Sequence, residues 1–115
     1  MIYFITGNIG KYSEFKEIIP NLEMQALDLP EIQSLNPEEI ISTKLEYASR
    51  QLDENIIVED GYFNILSLNG LPGPLIKWFE KSIGNNGLVK ICELYNDYRA
   101  EVGINIGLKE KNGTI

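Results

Sequence analysis

Short apolar runs alternate with amphipathic stretches along this chain, and the switch between the two periods predicts its elements. Ile2 to Thr6 is almost wholly apolar, the signature of a strand buried on both faces. From Lys11 to Ile19 the apolar residues Tyr12, Phe15 and Ile19 recur at helical spacing, and Pro20 stops that helix. Residues 22–29 read as a second strand, closed by Pro30. Asn36-Pro37-Glu38-Glu39 then opens a long helix with an N-cap amide, proline at the first position and acids in the first turn. Its apolar stripe is Ile41, Leu45, Ala48 and Leu52.

Asn55 to Glu59 reads as a strand, followed by Asp60-Gly61 and an apolar segment from Tyr62 to Leu68. Asn69 to Pro74 is a rigid loop rich in glycine and proline. Two short helices are predicted near 75–83 and 87–95. Between Ala100 and Leu108 strict alternation marks a strand with one covered face. Lys109 to Gly113 reads as a hairpin turn, and Thr114-Ile115 as the start of a returning strand. The strands and helices together predict one α/β domain over residues 1–115, with a mixed sheet flanked by helices. A strand beginning at the last residues has an unpaired edge. The expectation is either the N-terminal part of a longer protein or an edge covered by another chain.

Composition narrows the chemistry. At 115 residues, 43% hydrophobic and 23% charged, the chain has the make-up of a folded globular domain. No apolar run approaches membrane-spanning length, and no secretory leader pattern opens the chain. The single Cys92 cannot form an internal disulfide, which fits a reducing, cytoplasmic setting. A net charge of −7 argues against a broad electrostatic grip on nucleic acid, while a small phosphorylated ligand stays compatible. The chain has no histidine, so serine–histidine catalysis and imidazole metal sites are excluded within it. Catalysis here has to run on carboxylates, lysines, hydroxyls and metal.

Thr6-Gly7-Asn8-Ile9-Gly10-Lys11 follows the first strand as a helix begins. Glycines admit an anion close to the backbone, helix-start N–H groups point at it, and Lys11 adds charge. The same six residues also suit a plain strand–turn–helix link with a surface lysine, ion-paired to Glu14 one turn on. Glu39 stands at the glutamate position of a capping box. Asp60-Gly61 is equally a favoured hairpin turn, yet Glu59-Asp60 places two carboxylates at a strand end, where they suit Mg²⁺ or a water. Lys44 reads as a solvated helix lysine, and Lys77-Trp78-Phe79 as a helix with aromatics inside and lysine outside. Taken together, an anion loop, acidic strand ends, separate lysines and no histidine describe metal-assisted phosphate chemistry.

The order of these motifs resembles the inosine triphosphate pyrophosphatase family. The residues that carry the likeness are Thr6-Gly7-Asn8-x-x-Lys11 with Glu14, Pro37 to Ile40 through Lys44 and Ala48, and Val58-Glu59-Asp60. Most specific is the run Gly70-Leu71-Pro72-Gly73-Pro74-Leu75-Ile76-Lys77-Trp78-Phe79. The resemblance implies an elongated α/β fold, Mg²⁺ dependence, a homodimer, and hydrolysis of ITP, dITP and XTP to monophosphate and pyrophosphate. By position it implies that Thr6, Gly7, Asn8 and Lys11 bind the triphosphate, with Lys44 lining the phosphate site and Lys77 near the substrate. It also implies Glu39 and Asp60 as metal ligands, with Asp60 and the adjacent Glu59 activating water. Gly61 stands where the family usually has serine or threonine. The family's second half, which reads the purine base, has no counterpart here. The alternative expectation is therefore a truncated, non-catalytic module that dimerises or binds a partner.

Overall fold

The computed structural model of the chain describes residues 1–111. Its order is β1 (Ile2–Ile5), α1 (Ile9–Ile18), β2 (Leu22–Gln25), α2 (Pro37–Gln51), β3 (Asn55–Ile65), a 3-10 turn at Leu66–Leu68, β4 (Pro72–Gly73), α3 (Ile76–Tyr95) and β5 (Ala100–Lys109). The sheet is mixed, in the order β2-β1-β3-β4, with β5 also pairing β3. β1 runs parallel to β2 and to β3, whereas β3 and β4 are antiparallel. Contacts divide the chain into two compact units. The first holds residues 1–32, 38–59 and the chain from 106 on; the second holds 33–37 and 60–105.

In the first unit the strand alternation reads directly as two cores. Phe4, Leu22 and Ile57 meet Tyr12, Phe15 and Ile19 of the α1 side. Phe4 is fully buried and its ring stacks on Phe15 with centroids 4.4 Å apart. On the other face Ile5, Ile56 and Val58 meet Leu45 and Ala48 of α2, joined by Ile41 and Leu52. A strand covered on both faces is what the unbroken apolar run of β1 specifies. β2 ends at Gln25, four residues early, but Leu27 and Leu29 still pack on the α2 side. Burial of these side chains persists where the strand ladder does not.

The second unit is centred on Ile65, Leu88 and Cys92, with Phe63, Leu68, Ile76 and Phe79 around them. Three expectations are corrected here. Asp60-Gly61 makes no turn: β3 continues through both residues. The long-range partner outweighs the local turn preference, because Gly61 lies against the Gly103 carbonyl of β5. Trp78 is not a core residue; it is 42% exposed, and Phe79 alone of that pair joins the cluster. The phase of β5 is also inverted. Val102, Ile104, Ile106 and Leu108 are exposed, and the covered positions are Gly103, Asn105 and Gly107. Glycine allows that inversion by close approach: a Cβ at Gly107 would run into Ile41 and Leu45.

α3 is continuous in its bounds, yet Gly84 adopts φ 66°, ψ −179° and kinks it. The two predicted helices therefore survive as its two arms. The expected turn from Lys109 begins inside β5, and its last residues, with the returning strand at 114–115, lie outside the described residues.

Candidate active site

The loop after β1 is built by its own side chains. Asn8 is the N-cap of α1, and its Oδ1 accepts the Lys11 N–H at 3.1 Å. Thr6 Oγ1 accepts the Asn8 N–H at 3.0 Å. The helix thus starts at Ile9, two residues earlier than its apolar spacing suggests, because the cap rather than the stripe sets the boundary. Lys11 falls at the third helical position, not at the start. The first-turn N–H groups of Ile9 and Gly10 have no partner one turn back and face the end of the helix where an anion is favoured. Thr6, Gly7, Asn8 and Lys11 are thereby gathered in one turn of chain.

Lys11 reaches across the sheet rather than along its own helix. Its Nζ lies 2.7 Å from Glu59 Oε1, and no pair forms with Glu14. This follows from strand alternation: Ile57 packs toward α1, so Glu59, two residues on, projects to the same side. The Glu59 side chain is 11% exposed and Lys11 44%. Lys44, on the opposite helix, donates from Nζ to the Glu59 carbonyl oxygen at 2.8 Å. It is half-buried and directed at the strand end, in contrast to the solvated lysine its helix position suggests. Two lysines from two helices therefore converge on one residue of β3.

Asp60 follows on β3 and projects to the face opposite Glu59, so the two carboxylates do not stand side by side. It belongs to the second unit, as does Lys77 at the start of α3, whose Nζ lies 5.4 Å from the Trp78 ring centre. Glu39 occupies the first turn of α2 in the first unit. The donor set suits a hard divalent cation. Glu59 Oε2, on the Lys11 side, is enclosed and has no hydrogen-bond partner. Among the described residues no three carboxylate or cysteine side chains form a metal-holding group. One or two carboxylates, completed by water and phosphate oxygens, is the usual protein share at Mg²⁺.

A second concavity was not legible in the sequence. Within the second unit, Tyr62, Asn64, Asn69, Leu71, Pro74 and Asn105 help to line a cavity of about 340 Å³. No charged side chain lines it, so it is unsuited to phosphate and suited to an uncharged group. Asn105 Nδ2 is enclosed there without a partner. The available signal was an amide between two apolar neighbours, at Asn64 between Phe63 and Ile65 and at Asn105 between Ile104 and Ile106.

Solved structures share this fold. A dITP/XTP pyrophosphatase from Mycobacterium abscessus superposes with a TM-score of 0.71 at 16% identity, covering 97% of this chain and 66% of that one. A HAM1 protein from Coxiella burnetii gives 0.71 at 21% identity, covering 99% and 66%. At the sequence level, residues 2–114 match the Ham1 family. The chain belongs to that family. It is 39% identical over 116 aligned positions to the dITP/XTP pyrophosphatase of Methanopyrus kandleri, covering 97% of this chain and 62% of the relative. To the inosine triphosphate pyrophosphatase of Pyricularia oryzae it is 38% identical, covering 98% and 61%. The chain spans about six-tenths of the length of these curated relatives.

Proposed function

We propose that this chain forms the phosphate-and-metal part of a nucleoside triphosphate pyrophosphatase acting on ITP, dITP and XTP. The observation that carries the reading is the convergence of the capped Thr6–Lys11 loop and of Lys11 and Lys44 on Glu59 at the end of β3. Family membership and the names of the relatives support the substrate class. The reaction adds one water across a phosphoanhydride bond and releases pyrophosphate and the nucleoside monophosphate. Thr6, Gly7, Asn8, Lys11 and Lys44 bind the triphosphate, and Lys77 lies near the substrate. Asp60 takes the proton of the attacking water, and Glu59, the residue before it on β3, sets the field on the Lys11 side of the strand.

Glu39 and Asp60 are the residues that would hold Mg²⁺, which would neutralise charge at the phosphates when bound. The working form is a homodimer in the cytoplasm. The free, buried Cys92 is compatible with a reducing compartment, and no helix among the described residues is long and apolar enough to cross a membrane. The test is release of pyrophosphate from ITP in the presence of Mg²⁺. Asp60→Asn is expected to lower the rate by about 10²- to 10⁴-fold, the range of a lost general base. A folded chain that releases no pyrophosphate and binds neither Mg²⁺ nor pyrophosphate would remove this reading and leave a non-catalytic module.

A further inference from the structure

We propose that Glu59 is a latch on Lys11, so that phosphate is captured by exchanging one anion for another on the same ammonium group. The inference rests on the reading of the Thr6–Lys11 loop as a phosphate grip and concerns how that grip is controlled. The ion pair is short, 2.7 Å, and its two halves differ in freedom. Glu59 is the fixed half: its side chain is almost enclosed, and its carbonyl is pinned by Lys44 Nζ at 2.8 Å. Lys11 is the mobile half, 44% exposed on a four-carbon stem.

The carboxylate depends on this lysine. Its Oε1 accepts from Lys11 and its Oε2 is enclosed without a partner, so withdrawing the ammonium leaves an enclosed charge uncompensated. The loop depends on it as well. The N–H groups of Asn8 and Lys11 are already taken by Thr6 Oγ1 and Asn8 Oδ1, which leaves fewer backbone donors for an incoming phosphate. The ammonium of Lys11 is therefore the main positive charge the loop offers, and Glu59 holds it. A polyphosphate must compete with a carboxylate already at hydrogen-bond distance, which lowers its apparent affinity in proportion to the latched fraction.

The test measures binding of inorganic tripolyphosphate in metal-free buffer by calorimetry. It uses the wild type, Glu59→Gln, Lys11→Gln and the double variant. Removing the latch is expected to tighten binding about tenfold in the wild-type background and less than about twofold when Lys11 is already replaced. Glu17→Gln, which removes one exposed negative charge from the same helix, is expected to change binding less than about twofold. Glu59→Ala serves as a second latch-free variant and is expected to show the same coupling. Equal gains in both Lys11 backgrounds, or in Glu17→Gln, would mean general charge repulsion and overturn the latch alone. So would unchanged or weaker binding by Glu59→Gln. No binding by any folded variant would overturn the phosphate reading itself, and the latch with it.

Discussion

The two units of this protein are specified in different ways. In the first, side-chain packing does the work: Phe4, Leu22 and Ile57 are enclosed by α1, and Ile5, Ile56 and Val58 by α2. In the second, backbone conformation carries more of the burden. Every described residue with positive φ lies there: Asn69, Gly70, Gly73, Gly84 and Asn96. The concave features differ as well. The first unit gathers Lys11, Lys44 and Glu59 at one strand end, while the second holds a cavity lined by amides, a tyrosine and prolines. A packed parallel core fixes side chains well enough to hold ions in register, and a turn-rich unit shapes a neutral hollow from the chain itself.

The sharpest way to break this comparison is to remove packing from the first unit. Phe4→Ala deletes a fully buried ring and its stack on Phe15, and is expected to cost about 3–5 kcal/mol in chemical denaturation. A loss below about 1 kcal/mol would mean the parallel core is not what holds that unit, because such a small effect is typical of surface sites.

Two glycines sharpen it further, because they forbid a side chain for opposite reasons. At Gly107 a Cβ would meet Ile41 and Leu45, so Gly107→Ala is expected to cost about 1–3 kcal/mol by overpacking. At Gly84 nothing lies within 4 Å of the added Cβ, but φ 66° with ψ −179° is a conformation glycine alone adopts readily. Gly84→Ala is expected to cost a similar amount, about 1–3 kcal/mol, as backbone strain. The two separate in a second background. Ile41→Ala makes room at Gly107 and should absorb part of that penalty, whereas no neighbouring truncation should relieve Gly84→Ala. Relief at both sites, or at neither, would erase the distinction between the units.

Sequence patterns foretold the first unit better than the second for the same physical reason. Apolar period marks which face is buried, and in β1, α1 and α2 burial is what fixes structure, so Phe4, Tyr12, Phe15, Leu45 and Ala48 were all legible. The loop was legible as a strand–turn–helix link but not in detail. Asn8 reads as a phosphate ligand and is also the helix cap, and the Lys11–Glu59 pair spans 48 positions that no local rule connects. In β5 the period misled. Val102, Ile104, Ile106 and Leu108 alternate as a covered face should, but Gly103 and Gly107 let the other face come closer to its neighbours. Asn64 and Asn105 meet in one cavity lining only because β3 and β5 pair, so neither carries a local signal of its partner.

A smaller effect is expected where α3 turns into β5. Arg99 holds the Asp97 carboxylate with side-chain and backbone hydrogen bonds, which lowers its pKa from 3.8 to about 2. A depressed carboxylate stabilises the fold above its unfolded value and loses that contribution as pH falls through the folded one. Stability of the wild type should therefore fall between about pH 4 and pH 2 through this group, and Asp97→Asn should flatten that part of the acid limb. An unchanged slope in the variant would show that the Asp97–Arg99 clamp does not persist in solution.

The smallest expected effect has the most useful sign. Asn96 ends α3 in the left-handed region at φ 50°, with its N–H returned to the Glu93 carbonyl at 3.1 Å. Glycine adopts that conformation without the Cβ contact that penalises other residues, but it also adds freedom to the unfolded chain. Asparagine already tolerates the region, so the two terms nearly balance and Asn96→Gly should stabilise by at most about 0.5 kcal/mol. Ser13→Gly, in the exposed middle of α1, has no left-handed conformation to relieve and should destabilise by roughly 0.5–1 kcal/mol. Opposite signs for the same replacement would show directly that backbone conformation limits one unit and not the other. A loss of stability at both positions would place both units under the same rule.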